Sequence, residues 1–159
     1  MKASVYLLIG ALGFCMSCGT PKGGKGFLYS ANDVIEISKG ACFGTCPVYD
    51  FKIDGLGKAT FKGKAFVKRE GDFVKQFSAE ETNAIFDSFK RADFWSFENE
   101  YTAAVTDLPT VWLSFYFMER SKKIRCYYDV PVKLVNLGKE VEALALSEGG
   151  WIAPDAPDK

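Results

Sequence analysis

Apolar and polar residues alternate along much of the chain between positions 34 and 77, which is typical of strands with one buried face. The clearest case is the segment 48–54, where Tyr49, Phe51 and Ile53 share one face and polar or charged residues occupy the other. Glycine-containing turns separate such runs and predict a meander of hairpins. The pattern predicts strand segments at 34–39, 48–54, 58–62, 65–69 and 72–77, with a turn at Glu70-Gly71 between the last two.

Two segments have apolar residues at the spacing of amphipathic helices. Ser78 and Glu81 make a capping-box motif, in which each side chain satisfies a backbone N–H of the other residue, and this predicts a helix from Ala79 to about Arg91. A second helix is predicted to begin at Pro131, because proline is tolerated in a first turn. The expected core-facing residues are Ile85, Phe86, Phe89 and Ala92 in the first helix and Leu134, Leu137, Val141 and Leu144 in the second.

Between the helices, an irregular aromatic segment at 94–109 precedes a predicted hairpin of strands at 111–118 and 122–128. The predicted order of elements is ββββαββα, with about six strands. Consecutive hairpins form antiparallel sheets, and amphipathic helices can cover one face of such a sheet. The sequence predicts an α+β fold, in which an antiparallel β-sheet carries two helices packed on one face.

The N-terminus has the features of an export signal. Lys2 precedes an apolar run at 3–16 that is too short to span a bilayer and suits the core of a signal peptide. A bacterial lipoprotein signal ends with small residues before a cysteine that receives the lipid. Cys18 follows a serine, whereas Cys15 follows a phenylalanine, so Cys18 is the better candidate for lipid attachment. The prediction is a lipoprotein signal peptide at 1–17; an ordinary cleaved signal or an uncleaved anchor are the alternatives.

Lipid attachment would define the remaining segments and their location. Residues 18–31 would be the lipidated N-terminus and a flexible tether rich in Gly and Lys, followed by one domain at 32–147 and a C-terminal tail at 148–159. Two or more acyl chains hold a protein stably at a membrane. The expected location is therefore the bacterial cell envelope, lipid-anchored on the periplasmic or outer-membrane side, with the membrane itself as one partner.

Composition limits the chemistry that the domain can perform. The 20 basic and 20 acidic residues balance, so no strong field favours nucleic acid as a partner. Histidine is absent, which excludes Ser-His-Asp and Cys-His mechanisms. Glu98, Glu100 and Asp107 lie in the irregular segment and are expected to be solvated or to shape a turn. We expect no enzyme activity, no catalytic residue, no metal site and no cofactor.

The cysteines are the most informative residues of the predicted domain. Cys42 and Cys46 flank Phe-Gly-Thr, and an oxidising envelope favours a disulfide between them, provided that their Cα atoms come within about 4.4 to 6.8 Å. Gly44 would let the intervening residues curl into the necessary turn. Cys126 is left over and is expected to be a small buried apolar residue. The predicted role of the Cys42–Cys46 bridge is structural.

These motifs resemble the bacterial domain of unknown function DUF6438. The resemblance rests on Cys-x-Gly-x-Cys-Pro-x-Tyr, the alternating strand that follows it, an Asp-Gly turn, Asp107-Leu108-Pro109 and the terminal amphipathic helix. It covers about residues 32–147. Membership implies an exported or lipid-anchored domain without an assigned activity, so the resemblance does not name a reaction.

A second resemblance concerns the paired cysteines alone. Cys-x-x-x-Cys-Pro is similar to the copper-binding element of Sco-type copper chaperones, whose thiolates bind copper(I) or exchange with disulfides. Those proteins add a histidine ligand, which this chain lacks, and their fold needs βαβ crossovers that a meander does not contain. The alternative function is an envelope thiol-redox or copper(I)-handling protein that uses Cys42 and Cys46, joined by Cys126 only if the fold brings it alongside.

The strand segment 111–118 is apolar on both faces, which a sheet with one buried face does not require. If one face meets the helices, Trp112 and Tyr116 point away from them and, with Tyr127, could form a surface for an unidentified envelope protein. The alternative is that the segment 94–109 or the tail covers these rings. The expected function is therefore non-enzymatic, either binding or structural.

Overall fold

A computed structural model of the chain describes residues 26–105 and 107–154. The predicted signal peptide, both candidate lipid-attachment residues Cys15 and Cys18, and the end of the tail at 155–159 lie outside the described residues. The strands are β1 (Val34–Lys39), β2 (Val48–Asp54), β3 (Lys58–Ala65), β4 (Gly71–Gln76), β5 (Glu100–Tyr101), β6 (Val111–Phe117) and β7 (Arg120–Cys126). The helices are α1 (Ala79–Arg91), α2 (Val132–Ala145) and a single 3-10 turn at Phe94–Ser96.

All seven strands of the described ranges form one sheet, in the order β4-β3-β2-β1-β6-β7-β5. β1 lies at the centre and pairs antiparallel with β2 on one side and β6 on the other. Only β5 is parallel to its neighbour, β7. The α+β class is confirmed, with one strand more than predicted. The additional strand is β5, which has two residues and is too short to show alternation in the sequence.

The hairpin between β3 and β4 differs from the prediction. β3 continues to Ala65, and residues 66–69 form bends that lead to β4, so the separate strand at 65–69 and its turn at Glu70-Gly71 are wrong. Phe66 has a φ of 55°, which is incompatible with a continuing strand. The bend returns so closely that a Cβ at Gly63 would lie 1.9 Å from the carbonyl oxygen of Arg69. Glycine is therefore required at that position of β3.

Both helices begin within one residue of the predicted position. The Ser78 hydroxyl accepts the Glu81 N–H at 3.2 Å, and the Glu81 carboxylate accepts the Ser78 N–H at 3.0 Å, which completes the capping box of α1. Pro131 caps α2. The buried stripe of α1 is confirmed, whereas α2 buries Ala145 in place of the predicted Leu144, which is only partly buried. Neither of these helices, nor any other described one, is long and apolar enough to cross a bilayer.

The core lies between the helices and the inner face of the sheet and is rich in aromatic rings. Phe115 of β6 is at its centre, with the Trp95 ring stacked on it at 5.4 Å between ring centres. The 3-10 turn therefore packs beneath β6 on the helix side of the sheet. The other rings that contact Phe115 are Phe86, Phe89, Phe94 and Phe117.

The start of the tail belongs to the same core. Ile152 forms an antiparallel bridge with Val74 of the edge strand β4. Next to it, the Trp151 ring contacts the buried rings of Phe51, Phe61 and Phe77 on the inner face. Trp151 therefore covers the inner face at the β4 edge, whereas Pro154 borders the outer face on which Trp112 lies.

Candidate functional site

The paired cysteines form a disulfide in the loop between β1 and β2. Their Cα atoms are 5.8 Å apart, within the range that a disulfide needs. Gly44 has a φ of 150° and donates its N–H to the carbonyl of Cys42, so glycine supports the turn as predicted. Phe43, between the cysteines, is 90% exposed and packs on nothing in the core. The bridge therefore closes a small surface loop that introduces β2.

The third cysteine of the domain has a different environment. Cys126 is buried at the end of β7, and its thiol is free. Burial raises the pKa of the Cys126 thiol to about 11, so the thiol is protonated near neutral pH. This agrees with the predicted small buried residue. Within 26–105 and 107–154, no group of three or more Cys, Asp or Glu side chains has the arrangement of a metal site.

Trp112 lies on the outer face of the sheet, and Tyr127 lies just past the end of β7, where its hydroxyl donates to the carbonyl of Val105 and its side chain also borders α2. The ammonium of Lys123 lies 4.8 Å from the centre of the Trp112 ring, and the Arg125 guanidinium lies 5.9 Å from it. The same guanidinium is 5.8 Å from the Tyr127 ring. We call these four residues the Trp112 cluster. Its cations lie over the rings, which is a favourable electrostatic arrangement.

Tyr116 is not part of this cluster. It lies four residues further along β6, which corresponds to about 13 Å, and pairs with Ser121 near the β6–β7 turn. Tyr116 is 39% exposed, whereas Trp112 and Tyr127 are half-buried. The three predicted aromatic residues therefore do not form one continuous patch, because they lie at opposite ends of the strand.

The remainder of the outer face is polar. Asp50 of β2 accepts hydrogen bonds from Lys64 and from the Ser38 hydroxyl. Burial tends to raise the pKa of the Asp50 carboxyl, but the two hydrogen bonds and the charges of Lys64 and Lys62 outweigh it, so its pKa is lower than usual. Trp112 and Lys123 border a shallow depression of about 510 Å³ on this face, which extends to the β4 edge. The ion pairs Lys52–Glu36, Lys62–Asp72 and Lys64–Asp50 lie on this face, beside the Trp112 cluster.

A second concave site, which the sequence did not reveal, lies between α2 and the end of the sheet near the disulfide loop. We call it the α2 groove; its volume is about 290 Å³. At its rim Lys39 and Glu142 form an ion pair at 2.6 Å, with side chains only 16% and 29% exposed. The walls are mainly apolar and comprise Ile37, Leu108, Pro109, Val111, Leu113, Cys126, Tyr127, Val130, Leu134, Val135, Gly138 and Lys139.

The motif tyrosine lies behind this rim. Tyr49 is fully buried, and its hydroxyl lacks a hydrogen bond of good geometry among the described residues. Burial, followed by the charge of the neighbouring Glu142 carboxylate, raises the pKa of Tyr49 well above its usual value. Tyr49 is therefore a neutral residue at working pH. The only local sign of the groove in the sequence is Gly138, an unfavourable residue inside a helix.

Comparison with known proteins agrees with the motif resemblance. The family described as Domain of unknown function (DUF6438) matches residues 33–145, more than two thirds of the chain. No curated protein matches the chain, and no solved structure does. The matched range includes the disulfide loop, the Trp112 cluster and the α2 groove, and it ends before Trp151.

Proposed function

Because the chain belongs to the DUF6438 family, a domain of unknown function, we propose its role from its own surfaces. We propose a lipid-anchored domain of the bacterial cell envelope that binds an envelope protein through the Trp112 cluster and is not an enzyme. Lipid on Cys18 would hold the domain at the membrane. The Cys42–Cys46 bridge would serve as a structural staple.

The observation that carries this proposal is the environment of Trp112. The 3-10 turn and Trp151 pack on the other side of the sheet, Pro154 borders the same depression as Trp112, and Lys123 has no ion pair to a carboxylate within the described residues. Tryptophan, tyrosine and arginine are the residues most enriched in the energetic centres of interfaces. A partner that presents an acidic side chain beside an apolar one would complement this cluster.

Crosslinking in intact membranes tests the binding role. A Trp112→Ala variant should lose a specific crosslinked partner that the wild-type chain retains, and high salt should weaken the same crosslink. Tyr116→Ala is the matched control, because Tyr116 is exposed on the same strand but lies outside the cluster. Equal crosslinks from both variants would contradict a binding role for the cluster.

The anchor is tested by fractionation. A Cys18→Ala chain should leave the membrane fraction, whereas Cys15→Ala should remain there, and mass spectrometry should detect acyl groups on Cys18. Acylation of Cys15 would move the anchor to the other candidate. Absence of lipid from both residues would reject lipid anchoring.

The alternative of thiol-redox or copper(I) handling predicts a different state of the paired cysteines. A structural bridge leaves Cys126 as the one titratable thiol when the acylated chain is denatured without reductant. Two further thiols in the chain isolated from cells, together with bound copper, would favour the alternative function. Copper titration of the reduced chain provides the matching measurement of affinity.

A further inference from the structure

The α2 groove has a length and a volume that suit one alkyl chain. Its α2 wall runs from Leu134 to Glu142, which is about 12 Å at 1.5 Å per residue. Its volume of about 290 Å³ holds about ten heavy atoms, at roughly 30 Å³ for each water-sized group. Apolar side chains form most of the walls, so an alkyl chain would be desolvated along its length.

The charges lie at one end of this groove. Lys39 and Lys139 line it together with a single carboxylate, that of Glu142, so the local charge is positive. Lys39 carries three donor hydrogens, and the structure gives it one oxygen partner, Glu142. Lys139 has no ion pair in the part of the chain that the structure describes. A carboxylate at this end would therefore find two cations.

Gly138 supplies an independent argument for an occupied groove. Glycine inside a helix costs about 1 kcal/mol relative to alanine. No close packing requires it here, because a Cβ at Gly138 would meet only the Leu113 side chain, at an ordinary distance of 3.7 Å. What the glycine preserves is the open space along the α2 wall.

We propose that the α2 groove binds a medium-chain fatty acid. The alkyl chain lies between α2 and the segment from Leu108 to Leu113, and the carboxylate lies between Lys39 and Lys139. No covalent step is involved. This site adjoins the Trp112 cluster, because Tyr127 belongs to both, so decanoate binding is measured on the chain without the proposed protein partner.

Calorimetric titration of the full chain with decanoate, below its micellar concentration, tests the proposal. We expect binding of one decanoate per chain, with decylamine at least tenfold weaker because its ammonium would face the two lysines. Gly138→Leu should weaken decanoate binding at least tenfold by filling the groove, while Gly138→Ala should fold and weaken it less, because one methyl group takes up only part of the open space. Should Gly138→Leu not fold, Val135→Phe narrows the same groove from an exposed position.

The head-group contact has its own matched pair of variants. Lys139→Ala should weaken decanoate binding about threefold, the size expected for an exposed ion pair. Lys133→Ala, on the same helix but outside the groove, should leave it unchanged. Absence of decanoate binding, equal binding of decylamine, or wild-type affinity in the groove-filling variant would each overturn the proposal.

Discussion

The disulfide loop and the C-terminal tail are held to the same sheet by opposite means. The loop between β1 and β2 is closed by a covalent bond and carries an almost fully exposed Phe43. No disulfide holds the tail, yet Trp151 inserts among buried rings of β2 and β3. The disulfide stabilises the fold by restricting a few residues of the unfolded chain. The Trp151 ring stabilises it by packing in the folded core.

Cations strengthen the attachment of the tail. The Arg69 guanidinium lies 5.1 Å from the Trp151 ring and donates to the carbonyls of Ala145 and Ser147. The Lys75 ammonium approaches the same ring and donates to the Ser147 hydroxyl. The bend after β3 is thereby joined to the end of α2 and to the tail. Aromatic packing should therefore stabilise this domain more than its disulfide does.

The largest expected effect comes from removing the Trp151 ring. Trp151→Ala should lower the free energy of unfolding by about 3 kcal/mol, because it leaves a cavity beside three buried rings. Urea denaturation measures this loss, and Trp151→Phe should recover part of it. A smaller loss than that caused by removing the disulfide would reverse the comparison.

Removal of the disulfide should have the next largest effect. The double variant Cys42→Ser and Cys46→Ser should lose about 2 kcal/mol, since a loop this short restricts the unfolded chain only modestly. The wild-type chain in reductant should unfold at the same urea concentration as the variant. A loss well above 3 kcal/mol would show that the loop organises more of the sheet than its exposed position indicates.

The capping box of α1 is a third stabilising contact to compare with these two, and it consists of hydrogen bonds alone. Ser78→Ala should cost about 1 kcal/mol, because the N–H of Glu81 loses its acceptor. Ser78→Thr keeps a hydroxyl and should retain most of the stability. Thermal unfolding of the two variants checks this, and equal melting temperatures would argue against the capping contribution.

The smallest effect concerns pH. Hydrogen bonds from the hydroxyl and then the N–H of Ser78 hold the pKa of Glu81 below its usual value. A lowered pKa in the folded state stabilises above the unfolded pKa of about 4.3, and the contribution is lost as pH falls through the folded pKa. Glu81→Gln keeps an acceptor but cannot titrate, so wild type should lose slightly more stability between pH 6 and pH 3. Parallel stability curves for the two chains would contradict this.

Features that depend on neighbouring residues were predictable. The capping box spans three positions and the disulfide spans four, so both follow from residue type and spacing. The alternation of β2 likewise specifies which of its side chains are buried. The predicted strand at 65–69 was wrong because its residues suit a strand, and only the return of the chain over Gly63 prevents one from forming.

Pairing between strands that are far apart in the chain determined the strand order and the orientation of β6. β1 is central because β6, some eighty positions later, pairs with it at Ile35↔Phe115 and along its length. This pairing separates the two faces of β6 and leaves Trp112 on the outer one. The local sequence pattern cannot show which strand will meet a run that is apolar on both faces.

The sequence by itself determined the α+β class, both helix starts, the bridge between Cys42 and Cys46 and the burial of Cys126, because these depend on short-range spacing and periodicity. The tertiary structure alone decided that Trp151 completes the core, that Arg125 lies near both Trp112 and Tyr127 while Tyr116 lies apart, and that α2 leaves a groove. Each of these depends on contacts between elements far apart in the chain, whose geometry is set only when the sheet and helices pack.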